Sequence, residues 1–432
     1  MVEVVVTGIS LVSALGKSPE DNWEKLIAGK SGIKLYQAFP ELKQRPLGLI
    51  DKQPAQVKKL TSWLVTSAVK DAGLVPPLPD CAVVIGSSRS YQAAWEEMAR
   101  QMNLDAKTRR AKDAERNKDK EQGRQPDKGR EPDSQFSASP PPRVPASSFP
   151  VSFENWLDTL PHMNAIAAAR QIGATGIVLA PMAACATGIW AIAQATELIK
   201  TGQVARVLVG AVEAAITPLT IAGFEQMGAV ANTGAYPFDL HREGLVLGEG
   251  GALFVLESAE LAKQRQAKVY ARILGFGLTA DAFHPNAPEP GGKSAIIAIK
   301  QCLERSNLTA KDIDYIHAHG TATQMNDRIE SLVIQRLFHQ GVAVSSTKGA
   351  TGHTLGASGA LGLAFSLLAL QQQILPPCVG LREPEFDLDF VREARKAKIR
   401  QVMCLSFGFG GQNGAIALGL PTKELMNSIV LP

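Results

Sequence analysis

The chain has 432 residues, 45% of them apolar and 20% charged, with a net charge of +4. That balance belongs to a globular protein with one duplicated core or two to three ordinary domains. So small a net charge excludes a strong electrostatic partner such as nucleic acid.

The first segment, MVEVVVTGISLVSALG, is apolar but has no basic leader, so it reads as a strand from Val2 to Val6 rather than a signal peptide. No apolar run reaches the roughly 18 to 20 residues of a membrane span without a polar interruption. With neither a leader nor a span, a cytoplasmic protein is expected. Helical patterns follow in PEDNWEKLIAG and VKKLTSWLVTSAVKDAG, then the strand CAVVIG from Cys81. From about Asp105 to Ser148 the chain mixes both charge signs with Pro, Gly and Ser and has almost nothing apolar to bury. Ordering it would not offset the entropy cost, so it is expected to be a disordered insertion.

Beyond the insertion, the β-branched runs VARVLVG from Val204, GALFVLE from Gly251 and YARILGFG from Tyr270 alternate with helices such as SAIIAIKQCLERSN. The alternation predicts α/β layers around buried sheets. A repeat is visible too. A helix ending VKDAGL leads to CAVVIGSS, and a helix ending LERSNL leads to YIHAHGTAT. Each half later carries a helix apolar on nearly every side, CATGIWAIAQATELIKTG from Cys185 and GASGALGLAFSLLALQQQ from Gly356. Both are expected to be buried, their small residues allowing close approach. The predicted halves are residues 1–258, which include the insertion, and 259–432.

Four places carry chemistry. Cys185 follows an extended run and opens the first buried helix, where the helix dipole and free N–H groups favour thiolate; the alternative is an inert core thiol. In HAHGTAT, a strand runs into a Gly turn and delivers His319 and Thr321 to a strand end, while His317 is expected to point the other way. In SSTKGATGHTLGASGALG, Lys348 and His353 sit among glycines; Lys348 precedes the glycines, which is the wrong order for a P-loop. In LSFGFGGQNGAIALG, the backbone N–H groups of a Gly-rich turn could hold an oxyanion, or the segment could be a plain hairpin turn with two core aromatics. The five cysteines, Cys81, Cys185, Cys302, Cys378 and Cys404, form no CxxC pair and lie near no His cluster, so no metal is expected. An odd, scattered set of this kind fits a reducing compartment.

The order Cys, His, Lys, His, GFGG resembles that of the β-ketoacyl-acyl carrier protein synthases, nearest to their Cys-His-His elongating branch (types I and II). The resemblance runs through VVVTGISLVSALG, VIGSS, ACATG, TPLTIAGFEQMGA, YPFDLHREGLVLGEGGA, HAHGTAT, STKGATGHTLGASGA and SFGFGGQNG, and it omits only the insertion. It implies a thiolase-like α/β fold of two duplicated halves in five αβαβα layers, working as a homodimer. It implies a decarboxylative Claisen condensation in fatty acid elongation. The acyl chain would be held on Cys185, and His319 and His353 would bind the malonyl thioester. The amides of Cys185 and Phe409 would form the oxyanion hole, with Phe409 also the gate to the acyl pocket. Lys348 and Glu330 would be an organising charged pair, Asp327 part of the same motif, and Thr321 and Thr323 hydroxyls near the malonyl arm. The partner would be acyl carrier protein, with substrates on its phosphopantetheine and no bound cofactor.

Leu405 and Gln412 depart from the family's usual Asn and Thr, and the approach to the nucleophile, LAPMAAC, is less polar than in many members. Two other readings stay open. One is a ketosynthase of a specialised polyketide or glycolipid pathway. The other is a non-catalytic chain-length subunit, against which the presence of Cys185 counts. A thiolase acting on coenzyme A thioesters would need a second cysteine inside the C-terminal motif, which SFGFGGQNG lacks.

Overall fold

The computed structural model describes residues 2–103, 107 and 156–422. The insertion expected from about Asp105 to Ser148 lies, save for Lys107, outside the described residues. The chain forms two compact units, one of Met1–Ser90 with Pro161–Pro432, the other of Tyr91–Leu160. Both predicted halves thus belong largely to a single unit rather than separating as bodies. The described part of the smaller unit holds a helix over 92–103, and there the Trp95 indole N–H donates to the Thr159 carbonyl at 3.0 Å.

The large unit begins with β1 (Val4–Val12) and α1 (Pro19–Ile27). The Ser18 hydroxyl accepts from the Asp21 N–H at 3.1 Å, and Pro19, Glu20 and Asp21 fill the first turn. These are strong helix-start signals. A short hairpin of β2 (Lys34–Tyr36) and β3 (Arg45–Leu47) follows, then α2 (Val57–Asp71) and β4 (Cys81–Gly86). After the smaller unit come α3 (Met163–Ile172), β5 (Val178–Leu179), α4 (Thr187–Lys200), β6 (Arg206–Glu213), α5 (Pro218–Gln226) and β7 (Gly250–Ser258).

The second half runs α6 (Ala259–Gln264), β8 (Ala271–Ala280), α7 (Lys293–Arg305), β9 (Tyr315–His317), α8 (Gln324–Leu337) and β10 (Ala343–Ser345). Next are α9 (Lys348–Thr351), α10 (Ser358–Gln372), β11 (Ile374–Leu375), β12 (Asp389–Phe390), β13 (Arg395–Lys396), β14 (Gln401–Gly408) and β15 (Gln412–Gly419).

Eleven strands form one sheet in the order β12-β10-β9-β14-β15-β8-β1-β7-β6-β4-β5. The repeat read from the sequence is visible in the strand directions. In one half, β5, β4 and β6 are parallel, then β7 and β1 alternate antiparallel. In the other, β10, β9 and β14 are parallel, then β15 and β8 alternate antiparallel. The halves meet where β1 pairs antiparallel with β8, Val4 opposite Ile273 and Val6 opposite Ala271. Helices α2 and α3 cover one half-sheet, and α7, with α8 against it, covers the other. Helices α4 and α10 lie between the half-sheets. This is the thiolase-like αβαβα arrangement.

Residues Ser358 through Leu370 of α10 are all buried. The expectation that no apolar run reaches membrane length without a polar interruption bears most closely on this helix. Among the described residues, the helical stretch Leu355–Gln372 is long and apolar enough, yet 89% of it is buried within the protein. Ser358, Ser366, Gln371 and Gln372 interrupt the apolar stretch, and the Ser366 hydroxyl is satisfied by the Gly362 carbonyl at 2.8 Å.

The central helices touch backbone to backbone. A Cβ on Gly188 would sit 2.4 Å from the Ala360 backbone nitrogen, and one on Gly359 would sit 3.0 Å from that of Ile189. Gly188→Ala should therefore force α4 and α10 apart and destabilise the protein by about 1–3 kcal/mol. Thermal melting checks this; an unchanged melting temperature would show that the helices can separate freely.

Candidate active site

The chemistry-bearing loops gather at the carboxyl ends of neighbouring parallel strands, where α/β sheets keep their sites. His319 follows β9, Lys348 follows β10, and Phe409 follows β14. Cys185 lies just before α4, with Ala186 as the N-cap residue, and it is 4% exposed. It sits beside a cavity of about 260 Å³ whose lining includes His319, Thr321, Thr323, His353, Phe407 and Phe409. The Cys185 sulfur and one ring nitrogen of each of His319 and His353 all lie within 4.8 Å of one another.

The bend carrying Cys185 is strained and tied down. Ala184 has φ +46°, which costs a non-glycine residue about 1–2 kcal/mol. Thr187 offsets it, its hydroxyl accepting from the Ala183 N–H at 2.8 Å and donating to the Ala184 carbonyl at 2.6 Å. Gly408 presses on the same bend; a Cβ there would lie 2.8 Å from the Ala183 oxygen and 3.0 Å from the Cys185 nitrogen. The Gly-rich segment is a β14–β15 hairpin, with Gly410 and Gly411 at φ +77° and +74°. Phe409 is delivered to the cavity, its ring 5.8 Å from that of Phe224.

Burial pushes the Cys185 thiol up to about 11; the Lys348 cation and a hydrogen bond from the Phe409 backbone N–H pull it down, and the Glu213 carboxylate pushes it further up. Desolvation of the anion thus works against the thiolate preference expected at the helix end and outweighs the favourable charges.

The two imidazoles are both buried. Desolvation, with the Lys348 charge beside them, holds both well below the usual histidine range, so they are neutral at physiological pH. Their tautomers follow from their partners. His353 Nδ1 accepts from the Leu355 N–H at 3.2 Å and lies 2.8 Å from the Ser358 hydroxyl. His319 Nδ1 lies 3.3 Å from the Lys348 amine, which as an ammonium ion can only donate. Each ring therefore carries its proton on Nε2. Cys-His-His has the donor types of a zinc site, but a ligating histidine must offer a lone pair and donates through its other nitrogen. Here that other nitrogen is the acceptor in both rings, so the residues fit hydrogen-bond donation and do not fit a metal.

Buried carboxylates hold the loop after β9. Glu330 accepts from the His319 and Gly320 N–H groups at 2.6 and 2.7 Å, and Asp327 from the Thr321, Ala322 and Phe238 N–H groups at 2.8–3.1 Å. Burial raises Glu330 to about 7. Lys348 donates to the carbonyl of His319. Lys348 and Glu330 are thus linked across one peptide unit instead of forming the direct pair that the resemblance implies. The Thr321 and Thr323 hydroxyls are 2.8 Å apart at the cavity wall.

His317 turns away, as strand alternation predicts, and meets Thr347 at 3.1 Å, with burial holding it down to about 3. Leu405 packs in the same apolar cluster as Phe407. Gln412 begins β15 opposite Ala280, outside the cavity lining.

Sequence reasoning did not single out three of the site's supports. Ser406 donates to the Cys185 carbonyl at 2.9 Å, Ser358 contacts His353, and Glu213 joins Ser87 to the Gly356 N–H behind His353. Only the position of Glu213 at the end of the apolar run VLVGAVE gave a signal.

A thiol, two neutral imidazoles offering N–H groups and a backbone N–H aimed at the sulfur, on a thiolase-like fold, define a condensing enzyme. The chain belongs to the β-ketoacyl synthase family: the family's N-terminal domain matches residues 1–65 and 142–262, and its C-terminal domain matches 270–382. It is 34% identical to 3-oxoacyl-(acyl-carrier-protein) synthase 2 of Coxiella burnetii, over 96% of this chain and 98% of that one. It is 38% identical to the mitochondrial 3-oxoacyl-(acyl-carrier-protein) synthase of Arabidopsis thaliana, over 55% of each. Among solved structures, it is similar to a type II PKS acyl-carrier protein in complex with its ketosynthase bound to the hexaketide. That likeness has a TM-score of 0.84 at 26% identity and covers 98% of this chain and 100% of that one.

Only the thiolate reacts with alkylating agents, so a raised thiol moves the pH profile upward. Alkylation of Cys185 by iodoacetamide should still be accelerating above about pH 9, where an ordinary thiol is levelling off. Lys348→Met, which removes the nearby cation, should move the profile further up. A profile levelling near neutral pH would mean the thiolate is favoured after all.

Proposed function

We propose that this protein is an elongating β-ketoacyl-acyl carrier protein synthase of fatty acid synthesis. The observation that carries the reading is the convergence of the Cys185 sulfur with two imidazoles locked as Nε2–H donors. Cys185 attacks the acyl thioester of the carrier protein, the carrier's thiol leaves with the proton, and the acyl chain stays on sulfur. A malonyl thioester then places its carbonyl oxygen against the His319 and His353 N–H groups. Its bond to the carboxylate breaks, carbon dioxide leaves, and the electron pair becomes an enolate stabilised by those donors. The enolate carbon attacks the acyl carbonyl, whose oxyanion is received by the Cys185 and Phe409 N–H groups. Collapse expels the Cys185 thiolate, which regains a proton from solvent.

Decarboxylation generates the carbanion, so the scheme calls on no bound cofactor; both substrates arrive on phosphopantetheine. Acyl carrier protein is the partner, which the complex named for the similar ketosynthase supports. A homodimer is part of the proposal. Its support is the edge position of β5, with Leu179 and Met182 exposed beside it and 36% and 58% accessible. We place the protein in the cytoplasm, supported by five unpaired buried thiols; the plant relative's name places that protein in another compartment, the mitochondrion. A specialised polyketide role is the second reading, favoured by the structural likeness to a polyketide ketosynthase. The higher identity to a synthase of the 3-oxoacyl class favours the first.

The test is extension of a medium-chain acyl carrier protein with malonyl carrier protein, read by intact mass. A 3-keto product two carbons longer is expected, and Cys185→Ala should abolish it. Extension retained in that variant would sink the nucleophile assignment, and acylation of Cys185 without product across chain lengths would favour the specialised pathway.

A further inference from the structure

Glu213 has no part in the steps above, yet it is fully buried at the end of β6. Five donors face its carboxylate. The Ser87 hydroxyl and Arg89 N–H reach Oε1 at 2.8 and 3.1 Å. The Ser88 N–H, the Ser88 hydroxyl and the Gly356 N–H reach Oε2 at 2.7, 2.6 and 3.1 Å. A carboxylate that only accepts suits such a site, while a neutral amide would bring its own N–H atoms against these donors. Burial pushes the Glu213 carboxyl above its usual range, and the Ser88, Ser87 and Arg89 donors pull it back down, so its ionised form depends on these partners staying in place.

The carboxylate ties the segment after β4 to the turn that carries His353. Gly356 is required there, since a Cβ would lie 2.6 Å from both the Glu213 oxygen and the Ser88 nitrogen. The preceding residue, Leu355, is held at φ +43°, a conformation that leucine rarely adopts. The peptide joining Leu355 to Gly356 is anchored at its Gly356 N–H by Glu213 at 3.1 Å and by the Ser88 hydroxyl, itself bound to Glu213, at 3.2 Å, and the Leu355 N–H points at His353 Nδ1. If the anchor is lost, the strained leucine is free to relax and its N–H leaves the ring.

We propose that Glu213 is a positioning residue of the condensation, fixing the Leu355–Gly356 turn so that the Leu355 N–H keeps His353 in its Nε2–H form. The inference rests on the reading of His353 as a donor in decarboxylation. It also predicts which half of the reaction suffers. An ionised Glu213 repels the Cys185 thiolate, so a neutral amide in its place does not disfavour that thiolate even as His353 is disordered. General damage would slow both halves together.

The experiment compares wild type with Glu213→Gln by three readouts: decarboxylation of malonyl carrier protein, alkylation of Cys185 by iodoacetamide at neutral pH, and the tautomer of His353. The tautomer is read by nitrogen NMR of histidine-labelled protein, with His353 assigned from a His353→Gln spectrum. Decarboxylation should fall by tenfold or more, alkylation should hold or rise, and His353 should change from a fixed Nε2–H ring to a tautomer mixture. An unchanged tautomer, or equal loss of both reactions, would overturn the proposal. If Glu213→Gln does not fold, Ser88→Ala removes one donor to the carboxylate and should move the same readouts less; no movement would again overturn it. A wild-type protein that decarboxylates nothing would instead refute the proposed function, and the tautomer comparison would still decide the role of Glu213.

Discussion

The peptide unit at His319 is gripped from both sides by a buried carboxyl and a buried amine, and burial works against the charge on each. Glu330 takes its N–H and that of Gly320, while Lys348 donates to its carbonyl and faces its ring. Each ion is unfavourable alone in a low dielectric; together, with the peptide dipole between them, they satisfy one another. Lys348 keeps the His319 ring an Nε2 donor, depresses both imidazoles and opposes the desolvation of the Cys185 thiol. Remove this clamp and the strand end, the ring orientation and the charge balance at sulfur all change together.

The site therefore works by withholding. Its histidines are denied protonation and denied a free lone pair, which leaves one useful property, two neutral N–H groups aimed into one cavity. Such donors gain strength as negative charge grows on an oxygen between them, and they need no reorganisation at that moment. The thiol is likewise held as a thiol by burial, with the Phe409 N–H already directed at it. A hydrogen-bond donor waiting at the sulfur suits a centre where charge appears only in passing.

Much of this could be read from residue order. Cys185 was legible because it opens an apolar helix after an extended run, and His319, Lys348 and His353 because each stands beside a glycine. The alternation of the strand Tyr315–His317 told His319 from His317. The halves were legible from two buried helices of small residues. The tautomers were not legible, since they depend on the Leu355 N–H and the Lys348 amine, which only the folded chain brings to the rings. Nor was the direction of the Cys185 shift, because the helix end is a local feature and burial is not. Glu213 escaped for the same reason, its partners lying after β4 and before α10, far away in sequence. Leu405 and Gln412, which stood out as departures near the gate, prove to be an apolar core residue and a ladder residue.

The seam between the halves bears on how the chain is made. β1 is flanked on one side by β7 and on the other by β8, with Val4 opposite both Ser258 and Ile273. During synthesis, a long stretch of polypeptide must emerge before this strand finds either neighbour. Cys185 waits longer still, until β14 and β15 bring Gly408 and Phe409 against it. Contacts so distant along the chain close slowly and leave apolar strands unpaired meanwhile. A ribosome-bound first half thus carries apolar strands without their partners, and the surroundings of Cys185 are completed only when nearly the whole described chain has been translated.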